Sequence, residues 1–513
     1  MRRLMTVLAV AALAGVLAVP TVALASGPKL KLTVTGGPPT TATKAKGSAY
    51  PAGDAITVTF DSTTVASATT SATGTFAAPF AVPASAVPGP HTVSAFDVLG
   101  LGASAPFLVR TDWTSSRFDS KGSGFNPYEN VLSPANVGGL MYTQAPAWAG
   151  FLHSAPIYAG GKLFAGSDDG TVRALDPLTG NQIWSTNIGG AVLGSPLALK
   201  TTKAPGPTGF CAIVAGSGDG SLIGLDPSTG AQLWGTAIGT GAVGTPVLVN
   251  PGPGQRVVVQ AADGTVAELD GCTGTPVWMN PARNPGPTGT PAVLGGVKLA
   301  DGSTRTIIVV CFNDGTVQAL DAVTGAILWS QRNPGPGGSP AGYGSGSGAR
   351  VVFGSGASGV ELNAGTGHQM WSFITGGTVN GAVGLYSVPA VMTKEAPALK
   401  LSLHAVIAGD SAGNLYALNP KTGAALWSER APGPVGSPAI ANGVVYLTTE
   451  PSPAAGGMLV ARNAGDGSVL FQGTLGSSAP PDPIHGPSPA VADGMVFTGN
   501  FTGGLSVFIQ PCI

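Results

Sequence analysis

Charge is scarce in this sequence: Asp, Glu, Lys and Arg make up 10% of its 513 residues, against roughly 25% in ordinary soluble domains. The 24 basic and 25 acidic residues leave a formal net charge of −1. No run of Lys and Arg is interleaved with aromatics, so the chain as a whole lacks the footprint that nucleic acid requires, and nucleic acid is excluded as a partner. Long apolar runs are equally rare. Leu4 to Val19 is the one such stretch; it is shorter than the ~20 residues of a spanning helix, so no membrane span is expected in the mature chain. Cysteine is limited to Cys211, Cys272, Cys311 and Cys512. No two are adjacent and none forms the Cys-x-x-Cys-His of an attached haem. The nucleophile elbow, the paired His of a metalloprotease and the calcium-binding loop are missing too. What abounds is Gly (79) and Pro (44), a balance suited to many short strands joined by turns.

The amino-terminal residues read as an address. Arg2 and Arg3 precede the apolar stretch, and Ala23-Leu24-Ala25 has the small-x-small form of a signal-peptidase site. A leader over 1–25 and a secreted or extracytoplasmic mature chain starting near Ser26 are expected. No Cys stands at that site to carry a lipid.

Residues 29–110 read as a small β domain. Lys31 to Thr35, Ile56 to Phe60 and Thr92 to Phe96 alternate polar and apolar residues between Gly, Pro and Asp turns, and alternation at period two puts one face inward. Several such strands within about 80 residues favour a sandwich. The pieces Gly47-Ser48-Ala49-Tyr50-Pro51-Ala52-Gly53 and Val87-Pro88-Gly89-Pro90-His91-Thr92-Val93 resemble bacterial immunoglobulin-like repeats, which implies a spacer or contact module. Residues 111–136 are expected to be a linker.

Beyond it the sequence repeats itself. Asp169-Gly170-Thr171-Val172-Arg173-Ala174-Leu175-Asp176 recurs from Asp219, Asp263 and Asp314, and each copy continues through Thr-Gly to Trp184, Trp234, Trp278 or Trp329. Weaker copies end at Trp371 and Trp427, and a decayed one ends at Phe471. Asp-Gly makes a tight turn, the next strand alternates, and the indole after Thr-Gly can cover the gap between neighbouring sheets. A period of 40 to 50 residues marks a radial or stacked fold. Pro156, Pro196, Pro246, Pro291, Pro340, Pro389, Pro438 and Pro489 each precede an apolar stretch, as proline at the start of a strand does. These eight markers predict an all-β chain, with an eight-bladed propeller over 137–510. Its last unit stops before an outer strand, which residues 138–146 are placed to supply, and such closure removes exposed edges.

The repeat Asp-Gly-Thr-Val-x-Ala-Leu-Asp-x-x-Thr-Gly-x-x-x-Trp resembles that of pyrroloquinoline-quinone-like propellers. The lead-in Asn126-Pro127-Tyr128-Glu129-Asn130-Val131-Leu132-Ser133-Pro134 resembles the segment preceding such propellers in secreted bacterial proteins. In that family, quinone-dependent alcohol dehydrogenases hold the cofactor between a Trp and a disulfide of adjacent cysteines, beside a carboxylate-bound calcium ion, and no matching motif is found here. Outer-membrane assembly factors of similar fold carry a lipid-anchoring Cys after the leader, which this chain lacks. The expected function is therefore a secreted, non-catalytic binding or scaffolding propeller, a monomer with a protein or cell-surface partner and no cofactor. The alternative is an oxidoreductase acting on alcohols or sugars with pyrroloquinoline quinone and calcium in an atypical site.

Two groups of residues are candidates for ligand binding. His153 and His485 stand three and four residues ahead of Pro156 and Pro489, on loops entering the innermost strands of neighbouring blades, with Asp482 nearby. Arg283, Arg332 and Arg430 begin a repeated Arg-(Asn/Ala)-Pro-Gly-Pro loop, and their forks suit a carboxylate. Each group also reads as solvated loop residues. Asp169, Asp219, Asp263 and Asp314 read as turn residues rather than metal ligands. The four cysteines allow three full pairings; Cys211 with Cys272 is preferred, since both fall near the same edge of neighbouring blades, and four unpaired thiols is the other reading.

Overall fold

The Asp-Gly and Thr-Gly punctuation cuts the chain into short antiparallel strands. Asp169 Oδ1 accepts the Thr171 amide at 3.0 Å, and Ser221, Thr265 and Thr316 bond Asp219, Asp263 and Asp314 in the same way. At the second turn Asp176 Oδ1 accepts the Leu178 and Thr179 amides. The glycine of that turn is needed for close approach: a Cβ on Gly230 (φ +74°) would lie 2.6 Å from the Trp184 ring of the preceding unit. The Trp184 Nε1–H donates to the Pro227 carbonyl of the same turn at 3.3 Å. Trp278, Trp329, Trp371 and Trp427 repeat that bond, each to the next unit. The motif is thus the seam between blades.

The computed structural model describes residues 27–511, except 145–149, 201–208, 251–254, 282–288, 380, 390–400, 451–456, 476–487 and 501–502. The expected leader lies outside the described residues. Two compact units result, the smaller, among the described residues, from 27–35, 42–80 and 91–107 and the larger chiefly from 108 onward.

In the smaller unit, Lys29–Leu32, Ala42–Ser48 and Phe76–Ala81 form one sheet. Gly102–Val109, Gly89–Phe96, Ala55–Phe60 and Thr63–Thr69 lie side by side in another. Alternating inward residues, among them Ala45, Ile56, Val58, Phe76, Val93 and Phe107, form its buried core.

Among the described residues of the larger unit, strands form eight four-stranded sheets, one of them extended by a fifth short strand. Taken by their innermost strands, blades 1 to 5 start at Ile157–Ala159, Leu197–Lys200, Val247–Asn250, Ala292–Lys298 and Ala341–Tyr343. Blades 6 to 8 start at Gly384–Pro389, Ala439–Ala441 and Ala490–Ala492. Neighbouring innermost strands touch from blade 1 to blade 5 and from blade 6 through blade 8 back to blade 1. Blade 8 takes its outermost strand from the other end of the sequence: Met141–Gln144 pairs antiparallel with Gly504–Ile509. The decayed copy at Phe471 still forms the outer strand of blade 7, with Phe471 opposite Ala461.

Two expectations are corrected. Pro389 ends the innermost strand of blade 6 instead of opening it; Val383 stands where the other blades carry proline, because the channel-facing residue of that strand is Leu385. Residues 111–126 are not a linker. They belong to the larger unit and are bonded into it along their length.

Candidate functional site

An innermost strand spends one edge on its own blade and turns the other toward the axis. Here one short segment meets those inner edges. The Tyr158 amide of blade 1 donates to the Trp113 carbonyl at 2.9 Å, and the Trp113 amide returns the bond at 2.7 Å. Ala198, Val293, Gly342, Leu385 and Ile440, on blades 2, 4, 5, 6 and 7, donate at 2.7–2.9 Å to the carbonyls of Thr114, Ser120, Lys121, Ser123 and Gly124. Phe125–Asn126 then runs parallel to Ile440–Ala441, and the Asn126 amide side chain donates to Val491 of blade 8 at 2.8 Å. Residues 113–126 therefore circle the axis inside the ring and act as a plug.

Arg117 is its anchor. The buried guanidinium donates to the carbonyls of Val383 and Pro438 and to Ser488 Oγ, joining blades 6, 7 and 8. Burial pulls its pKa down to about 10, partly offset by Asp119, so it remains charged at neutral pH. Asp119 shapes the loop: its carboxylate accepts the amides of Lys121 and Ser123 and the Ser123 hydroxyl at 2.9–3.1 Å. Burial raises its pKa against those bonds. Phe118 sits at φ +70°, an uncommon conformation for a bulky residue, with its ring edge-on to Trp113 at 5.2 Å. Gly124 (φ +64°) must be glycine, since a Cβ would lie 2.6 Å from the Arg117 guanidinium.

A carboxylate pair ties the plug's flanks to blade 8. Asp493 Oδ1 accepts the Thr111 amide at 2.7 Å, and Glu129 Oε2 accepts that of Gly494 at 3.2 Å. Burial, against the Thr111 and Tyr158 hydrogen bonds, pushes Asp493 up to about 7; burial also raises Glu129.

Two cavities border the plug and share Lys121. One, of about 320 Å³, lies between blades 5 and 6 and is lined by Phe118, Asp119, Phe125, Tyr343, Leu385 and Leu403. The other, of about 380 Å³, lies between blades 3 and 4 and is lined by Ser120, Arg256, Val293 and Thr306. Beside them are two buried carboxylates at the repeat position opposite the seam Trp, where other blades have Ala or Gly. Glu268 is 2.9 Å from Arg256. Glu361 accepts the Tyr343 hydroxyl at 2.5 Å, and its pKa is pushed up to about 7 by burial.

Three of the candidates singled out by sequence, His153, Arg332 and Arg430, fall among the described residues. His153 Nε2 is 3.2 Å from Asp168 Oδ2, within blade 1. His485, Asp482 and Arg283 lie outside the described residues. Arg332 and Arg430 are exposed and occupy equivalent places on the outermost strands of blades 4 and 6, opposite Thr316 and Asn414. Blade 5 separates them, and each ends its strand ahead of the Pro-Gly-Pro turn. Cys211 and Cys272 are bonded, with S–S 2.07 Å and Cα–Cα 5.8 Å, joining blade 2 to blade 3. Cys311 is a buried free thiol, and Cys512 lies outside the described residues. The aspartates that open the repeats serve their turns as expected. Arg117, Asp119 and Lys121 were passed over; the only sequence signal was a dense Arg-x-Asp-x-Lys-Gly-x-Gly in a stretch without alternation. Glu268 and Glu361 were legible as carboxylates at a repeat position otherwise Ala or Gly.

The axis is lined by the plug's backbone and Arg117, the disulfide spans two blades and is not between neighbours in sequence, and among the described residues no three His, Cys, Asp or Glu side chains converge on a metal position.

Comparison places this architecture among known proteins. The structure of BamB from Moraxella catarrhalis has 19% identity and a TM-score of 0.50, over 72% of this chain and 100% of that one. The quinohemoprotein alcohol dehydrogenase of Comamonas testosteroni has 15% identity and a TM-score of 0.51, over 77% and 80%. A europium-containing methanol dehydrogenase has 14% identity and a TM-score of 0.52, over 77% and 97%. At these identities the likeness is one of fold. No curated protein sequence matches the chain. The family model described as outer membrane protein assembly factor BamB matches residues 134–212, 168–311 and 313–510, well over half of the sequence. The chain belongs to that family of pyrroloquinoline-quinone-like propeller repeat proteins.

Proposed function

We propose that this chain is a non-catalytic binding or scaffolding propeller that works outside the cytoplasm and engages a protein or cell-surface partner through its blades. One observation carries the reading: the inner edges of six blades are bonded to the chain's own residues 113–124, and a buried Arg117 is fixed between three of them. The occupation of the axis by the chain's own residues supports a scaffolding role. The family model's assembly-factor description agrees with a scaffolding role, and the leader-like amino terminus and the Cys211–Cys272 bond agree with an oxidising destination.

The test is thermal unfolding of the mature chain with pyrroloquinoline quinone and calcium. A ligand at 100 times its dissociation constant stabilises by ~2.7 kcal/mol. The unfolding transition is expected to stay where it is. An upward shift of that size would replace this reading with the quinone-dependent oxidoreductase.

A further inference from the structure

We infer that the outer face of the three-stranded sheet in the smaller unit docks a linear, base-free polyol-phosphate polymer, a phosphodiester chain without stacking bases. Burial alternates strictly along Ala42–Ser48, with Thr43, Ala45 and Gly47 inward and Lys44 and Lys46 outward. Along Lys29–Leu32, Lys29 and Lys31 are exposed and Leu30 is buried. The antiparallel register sets Lys31 directly opposite Lys46 and Lys29 opposite Ser48. The Thr33 amide bonds the Lys44 carbonyl at 3.1 Å, one step further on. The four lysines therefore share one face. They form a diagonal ribbon, Lys29–Lys31–Lys46–Lys44, with steps of about 6.7 Å along each strand and about 5 Å between strands.

Edge protection does not account for the whole ribbon. Like charges directly opposite each other destabilise a sheet, and among the described residues none of the four lysines joins an ion pair. Lysine protects free sheet edges, which serves Lys29 and Lys31 on the edge strand, but Lys44 and Lys46 stand on the middle strand, where no edge needs them. The third strand shows Ala77 and Pro79 outward, small and uncharged, so the ammonium groups stand clear. The chain has only 24 Lys and Arg in all, and four of them are spent on this patch. A line of cations spaced 5–7 Å apart matches a flexible polymer with one phosphate per repeat of similar length. Its narrowness favours such a chain over the broad face of a bilayer.

The probe is poly(glycerol phosphate) titrated against the full mature chain at several salt concentrations. Four neutralised phosphates predict a log–log salt slope of roughly −3, from about −0.7 per contact on a single strand. The Lys31→Ala/Lys46→Ala chain should show about half that slope and, at low salt, a loss on the order of tenfold in affinity; these side chains are exposed and folding is kept. Unchanged affinity in that variant, or binding to phosphatidylglycerol vesicles without binding to the polymer, overturns the inference.

Discussion

An Arg117→Ala chain is expected to lose about 3–5 kcal/mol of stability, the usual consequence of removing one member of a buried charged network. The side chain reaches Val383, Pro438 and Ser488, residues 266, 321 and 371 positions away in sequence. Truncation leaves those carbonyls buried without a donor, takes the compensating charge from Asp119, and opens a cavity at the meeting point of three blades. Arg117→Lys should recover only part of the loss, because an ammonium is a point charge without the planar fork that serves several acceptors at once. Denaturant unfolding followed by tryptophan fluorescence reads the effect. A loss below about 1 kcal/mol in the alanine variant would mean that the plug is held by its backbone alone.

Ring closure carries the second large effect. Phe508 is 1% exposed and sits between the closing strand and blade 7, with its ring 5.3 Å from Tyr142 and 5.8 Å from Phe471. Phe508→Ala is expected to cost about 3–5 kcal/mol through lost burial and the cavity left behind. Because it loosens the strand pairing that joins the two ends of the propeller, the variant should also self-associate on warming, as exposed sheet edges do. Val469→Ala, at a half-exposed position on the outer strand of blade 7, should stay within about 0.5 kcal/mol. Equal effects for the two would contradict the role given to the seam.

The parts of the fold that were legible in sequence are those whose causes are local and repeated. Asp169 bonds an amide two residues on, and Trp184 covers a glycine one repeat later, so each unit states its own geometry. The plug has neither property. Residues 113–126 show no period, and their partners lie on blades up to 371 residues away, so a short stretch rich in Gly, Ser and Asp reads as a linker until the ring is assembled around it. Pro389 misled for a related reason. Its spacing fits the markers, yet the register of its strand is set by the Leu385 amide on the Ser123 carbonyl, a contact invisible along the chain. Arg332 and Arg430 repeat because their strands repeat, and equivalent places on different blades of a ring are necessarily apart.

Hydrogen exchange of the native chain tests the plug most directly, because the amides of Tyr158, Ala198, Val293, Gly342, Leu385 and Ile440 face the axis and have no partner within their own blades. With residues 113–124 in place, these six should exchange as slowly as the amides of the central strands, and the segment whose carbonyls accept them should be protected with them. Rapid exchange at those positions, with the central strands still protected, would show an open channel and contradict the account.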